Sequence, residues 1–103
     1  MKNYTGTYTP SFPISARPMG EIAGYPVRPG YFEDFGATLL PVGVNFTVHT
    51  HHGTSCELLL FHKGEEAPYA VLPFPASYKI GDVYSMIVFG LNIEESEYAY
   101  RVD

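Results

Sequence analysis

The chain has 103 residues, 46% of them apolar and 16% aromatic, with nine Tyr, seven Phe and no Trp. That is the length of one domain, too apolar for intrinsic disorder and too short for a (β/α)8 barrel of about 250 residues or a full dinucleotide-binding fold. A net charge of −5 argues against nucleic acid as a partner, and no apolar run exceeds Leu58–Phe61, far short of a membrane span.

The first part of the chain, residues 1–29, holds five of the nine prolines (Pro10, Pro13, Pro18, Pro26 and Pro29) and shows no sustained periodicity. Proline fixes φ and removes a backbone donor, so this segment is expected to be an irregular, extended arm rather than a helix. It carries Tyr4, Tyr8, Phe12 and Tyr25, which are costly to leave in water, so part of it should drape over a neighbouring surface.

Residues 30–103 are expected to fold as an all-β, Ig-like sandwich of six or seven antiparallel strands. Gly36–Leu40 reads as a strand and Pro41-Val42-Gly43 as a hairpin turn. In the next strand Val44, Phe46 and Val48 alternate with Asn45, Thr47 and His49, the period of a half-buried strand. Cys56–Phe61 is a nearly continuous apolar run, suited to a central strand covered on both faces. Lys63-Gly64-Glu65-Glu66 turns the chain into Tyr69–Phe74, which Pro73 and Pro75 confine to a sheet edge. Gly81-Asp82 opens Val83–Phe89, residues 90–96 form a loop, and Glu97–Val102 closes the domain with Tyr98, Tyr100 and Val102 on one face. Turn signals recur roughly every 8–12 residues, as in a sandwich.

Few residues offer chemistry. The acidic groups Glu33-Asp34, Glu65-Glu66 and Glu94-Glu95-Ser96-Glu97 fall in expected loops and read as solvated turns, so no catalytic residue is assigned. His49, His51 and His52 cluster at a strand end with His62 further on, but no third ligand stands at a metal-binding spacing, and no metal or other cofactor is assigned. Cys56 opens the most apolar strand and reads as a small buried hydrophobe. A single cysteine cannot form an internal disulfide, and no basic segment precedes an apolar one at the N-terminus, so the expected location is cytoplasmic. Asn45-Phe46-Thr47 matches a glycosylation pattern but lies inside a strand. Arg101 should point away from Tyr98 and Tyr100, where it can pair with an acid on a neighbouring strand or domain.

Several blocks resemble a known family. Pro29-Gly30, Phe35-Gly36-Ala37-Thr38, Gly43-Val44-Asn45-Phe46-Thr47-Val48, Gly81-Asp82-Val83-Tyr84 and Tyr98-Ala99-Tyr100-Arg101-Val102-Asp103 follow one another as in the N-terminal β-sandwich of bacterial isoamylases and glycogen debranching enzymes, carbohydrate-binding module family forty-eight. The resemblance covers residues 28–103. It implies an accessory domain of a glycoside hydrolase that cleaves α-1,6 branch points of glycogen or a related α-glucan. Such a domain packs on a catalytic barrel of the same polypeptide, which carries the catalytic carboxylates and lies beyond these residues, and helps shape its substrate groove. Relatives that bind starch or glycogen use exposed Trp, and debranching relatives often carry Trp where this chain has Tyr84. Tyr84, with Tyr78 and Lys79, is therefore the expected carbohydrate-binding set, with α-glucan as a weak ligand. An autonomous α-glucan-binding module and an Ig-like protein-interaction domain unrelated to sugar are the alternatives. With a barrel to pack on, an exposed aromatic patch including Phe32, Phe35 or Phe89 and some self-association are expected.

Overall fold

The computed structural model describes residues 17–103; residues 1–16 of the expected arm lie outside the described residues. The described chain forms nine strands: β1 (Gly20–Ile22), β2 (Tyr25–Pro29), β3 (Gly36–Leu40), β4 (Gly43–His49), β5 (Cys56–His62), β6 (Ala70–Pro73), β7 (Lys79–Ile80), β8 (Val83–Phe89) and β9 (Ser96–Val102). Two single-turn 3₁₀ segments, Ala76–Tyr78 and Ile93–Glu95, are its only helical pieces, and no helix among the described residues is long and apolar enough to cross a membrane.

The strands form an Ig-like β-sandwich. One sheet has the order β1-β2-β8-β4-β3, with β7 also paired to β8; the other has the order β6-β5-β9, and all pairings are antiparallel. Register places Val27 opposite Val88, Val44 opposite Val88, Phe46 opposite Met86 and Val48 opposite Tyr84 on the inner face of the large sheet. Cys56, Leu58 and Leu60 of β5 face them with Leu72 of β6, and all of these except the half-buried Val48 are core residues. A side-chain period of two thus drives one face of each sheet out of water, the main favourable term in folding.

Residues 20–29 depart from the expectation of an irregular arm, because they form the β1–β2 hairpin and pair with the central strand β8. The prolines are accommodated by offset pairing. β1 covers residues 25–27 and β8 covers residues 27–29, so Pro26 and Pro29 each have a strand on one side only, as the missing amide requires. The hairpin turns on Ala23 and Gly24, both with positive φ (54° and 88°), the pattern of a type I′ connection.

The strand β5 also differs from expectation. Its burial alternates, with Cys56, Leu58 and Leu60 buried and Glu57, Leu59 and Phe61 half-buried, so it is covered on one face only. The strands covered on both faces are β4 and β8. Their outer face is closed by residues 30–35, which cross it on the way from β2 to β3. This crossing is held by polar side chains. Asn45, Thr47 and Ser85 are at most 1% exposed. Asn45 Oδ1 accepts from the Tyr31 amide at 2.8 Å, and Asn45 Nδ2 reaches the Tyr31 and Asp34 carbonyls at 3.3 and 3.4 Å. Thr47 donates to the Tyr31 carbonyl at 2.9 Å, and its hydroxyl meets that of Ser85 at 2.7 Å. Each of these three buried side chains is therefore bonded, as a dry interior demands. Gly30 has to be glycine here, because a Cβ would collide with Asn45 Oδ1 and Ser85 Oγ and come within 2.9 Å of the Met86 amide. The Pro-Gly and Gly-Val-Asn-Phe-Thr blocks that carry the resemblance are thus the two halves of one structural clasp.

Candidate carbohydrate-binding site

The structure brings Tyr78, Lys79 and Tyr84 together but closes them off. Lys79 pairs with Tyr84 across β7 and β8, and its ammonium lies 5.5 Å from the centre of the Tyr84 ring. Lys79 Nζ also donates to the Gly53 carbonyl at 3.4 Å. Tyr84 is 2% exposed and Tyr78 8%. The Tyr84 ring packs on Phe74 at 5.6 Å, and its hydroxyl donates to the Thr54 carbonyl at 3.3 Å. A sugar stacks only on a ring face that solvent can reach, so neither tyrosine presents the platform expected of it. Both sit on inward-facing or core-capping positions, where an aromatic ring gains most by burial.

The other singled-out residues fall as follows. Cys56 is buried, and its thiol is pushed up to about 11 by burial and by the neighbouring Glu57 charge, which keeps it protonated and inert. His49 and His51 stack edge to face at 4.3 Å, whereas His52 pairs with Asp82 at 3.0 Å. Among the described residues no group of three His, Cys, Asp or Glu is arranged to hold a metal ion. Arg101 points outward and meets Glu57, directly opposite on β5, at 2.6 Å. Tyr98 and Tyr100 do face inward, but β9 is an edge strand, so Tyr98 is 39% exposed while touching Phe46 edge-on at 5.3 Å. The Tyr100 hydroxyl is buried without a hydrogen-bond partner among the described residues, and burial raises its pKa well above the phenol value. Of the three phenylalanines expected on the surface, Phe35 is 60% exposed, whereas Phe32 and Phe89 are half-buried. Leu39 (65%) and Val102 (42%) add to the exposed apolar area.

Two open clefts flank the β8–β9 loop. The first, about 340 Å3, lies between this loop and the β3–β4 turn and is lined by Leu39, Leu40, Pro41 and Val42 facing Leu91, Asn92 and Ile93. The second, about 240 Å3, lies between β2, the β5–β6 hairpin and the same loop. Its walls carry Tyr25, His62, Tyr69, Leu91, Asn92, Glu95 and Ser96. His62, exposed at the end of β5, stacks on Tyr69 with ring centres 4.2 Å apart and planes 17° from parallel. The Tyr69 hydroxyl bonds that of Ser96 at 2.8 Å. Burial, and after it the neighbouring Tyr69 phenol, raise the Tyr25 pKa, so the Tyr25 phenol stays neutral. Asn92 accepts from the Glu94 amide at 3.1 Å and donates to Glu95 Oε2 at 3.3 Å, fixing the carboxylate at the cleft edge. Nothing in the sequence groups these residues, because residues 25, 62, 69 and 92–96 come together only in the folded sheets. The one local hint is the alternation that turns His62 inward with Leu58 and Leu60.

Residues 34–103 match the family model of carbohydrate-binding module 48, the isoamylase N-terminal domain. The chain belongs to the carbohydrate-binding module 48 family. No curated protein matches it significantly. The family is a non-catalytic one: its members are carbohydrate-binding accessory modules of glycoside hydrolases. In this carbohydrate-binding module 48 domain the matched segment runs from the Asn45-anchored crossing to the last strand, so it includes all of the smaller sheet and both clefts except Tyr25.

Proposed function

We propose that this domain is the accessory module of a glycoside hydrolase that debranches glycogen or a related α-glucan at α-1,6 linkages. It packs against the catalytic domain and presents the glucan to it. The observation that carries this reading is the family match over residues 34–103, whose description is that of an isoamylase N-terminal domain. The exposed Leu39, Tyr98 and Val102 give such packing an apolar surface. The chain itself performs no hydrolysis under this reading, since the family is a non-catalytic one.

The test is native gel electrophoresis of the chain with and without glycogen or amylopectin in the gel, alongside an assay for released reducing ends. Retardation by branched α-glucan with no release of reducing ends is the expected result. Unchanged mobility in every branched α-glucan, at concentrations up to the percent range, would sink the glucan-presenting role. A second reading, an autonomous α-glucan-binding module, is favoured by one specific observation: the cleft of stacked aromatic and hydroxyl groups beside the β8–β9 loop.

A further inference from the structure

We propose that the cleft formed by Tyr25, His62, Tyr69, Asn92, Glu95 and Ser96 is a short pyranose subsite that takes one or two sugar rings of a glucan. The inference rests on the glucan-binding reading and assigns it a place. Three properties of the cleft select this ligand class.

The first is a rigid aromatic surface. His62 and Tyr69 lie nearly parallel at 4.2 Å, and Tyr69 is held in turn by its hydroxyl bond to Ser96. The apolar C–H face of a pyranose packs on such a surface, and the exposed imidazole is reachable from solvent. The second is a set of neutral hydroxyl and amide groups with one carboxylate. Tyr25, Tyr69 and Ser96 each donate and accept, Asn92 Nδ2 keeps a second N–H beyond its bond to Glu95 Oε2, and the Glu95 carboxylate accepts. This mixture matches a polyol, whose hydroxyls also donate and accept. It does not suit a phosphate or other anion, since among the described residues no Lys or Arg lines the cleft and Glu95 would repel it. It does not suit a purely apolar ligand either, because burying these hydroxyls without partners is costly. The third is size. About 240 Å3 is below the roughly 300 Å3 at which sites for drug-sized ligands begin, so an extended oligosaccharide does not fit along it. The cleft thus engages a short stretch or an end of a glucan chain.

The experiment is an amide-resolved NMR titration of the full 103-residue chain with maltotriose and with maltoheptaose, repeated on His62→Ala and Glu95→Gln. These two side chains are exposed, so the fold should survive, and the dispersion of the amide spectrum verifies this directly. The expected result is saturable shifts at residues 25, 62, 69, 91–92 and 95–96, with dissociation constants for the two sugars within about threefold. Each variant should weaken binding at least fivefold. Saturable shifts mapping to another face, unaffected by both variants, would overturn the cleft and leave the glucan-binding reading standing. Affinity rising tenfold or more from maltotriose to maltoheptaose would overturn the short-subsite assignment. No shifts with either sugar, together with unaltered mobility in glycogen gels, would overturn both readings.

Discussion

Tyr100→Phe should stabilise this domain, against the usual direction of core substitutions. The Tyr100 hydroxyl is buried between the sheets with no partner among the described residues, while its ring packs on Tyr98 at 5.7 Å and faces Phe74 at 6.4 Å. A buried hydroxyl left without a hydrogen bond costs about 1–3 kcal/mol, because it has lost water and gained nothing. Phenylalanine keeps every ring contact and removes only the oxygen. The void left is about one water probe in size, on the order of 15 Å3, which costs roughly 0.4 kcal/mol at ~24 cal/mol per Å3. The net gain is therefore about 1–2 kcal/mol. Urea unfolding followed by tyrosine fluorescence or circular dichroism measures it. With a slope of about 2 kcal/mol per molar, the midpoint should rise by about 0.5–1 M at unchanged slope. A thermal midpoint higher by roughly 5–15 °C should accompany it. Tyr84→Phe is the paired control: it loses a 3.3 Å bond to the Thr54 carbonyl and should lower stability by roughly 0.5–1 kcal/mol. A Tyr100→Phe midpoint equal to or below that of the unaltered chain would refute the reasoning, since it would mean the hydroxyl is bonded in solution.

Three other outcomes are expected. Gly30→Ala should destabilise by at least about 2 kcal/mol or prevent folding, because its Cβ would enter the space of Asn45, Ser85 and the Met86 amide; chemical denaturation or loss of amide dispersion reads this out. Stability should fall as pH rises from about 9 towards 11: the unfolded Cys56 thiol ionises near its ordinary value of 9.0, while the folded one, pushed up to about 11, stays protonated. The folded state then binds more protons than the unfolded state, so urea midpoints should drop across that window, and Cys56→Ala should flatten the slope whatever its offset. Arg101→Ala should change stability by less than about 1 kcal/mol in denaturant melts, since the Arg101–Glu57 pair lies at the surface, with side-chain exposures of 61% and 30%.

Much of the sandwich is legible in the sequence, for identifiable reasons. From Gly36 to Val102 the inward residues recur every second position and glycine or proline marks the turns, so β3, β4, β5, β6, β8 and β9 are recovered nearly to the residue. The β1–β2 hairpin is not, because Pro26 and Pro29 argue against strands and Ala23-Gly24 lacks the asparagine or aspartate that usually announces a type I′ turn. What rescues those prolines is the staggered coverage of β2 by its two neighbours, a property of register that no local pattern carries. The burial of Tyr84 illustrates a related limit. Alternation identifies its face, but whether that face is closed depends on Phe74 and on the segment leading into β7. Conversely, Tyr98 reads as core and lies on the inner face, yet remains 39% exposed because the smaller sheet ends at β9. The second cleft was invisible to the sequence because its residues are separated by up to about 70 positions.

The clasp between β4, β8 and the crossing residues 30–35 has an evolutionary consequence. Asn45, Thr47 and Ser85 grip main-chain atoms of Tyr31 and Asp34, so their hold on the crossing does not depend on which side chains the crossing carries. The outward side chains at the exposed positions 33–35 are therefore free to vary without loosening the fold. Paralogues could exchange Glu33, Asp34 and Phe35 for other residues and acquire a different docking preference, while Gly30 and the three gripping residues stay fixed. The domain thus separates the positions that must be inherited, Gly30 and the gripping residues on β4 and β8, from those that can diversify, at 33–35.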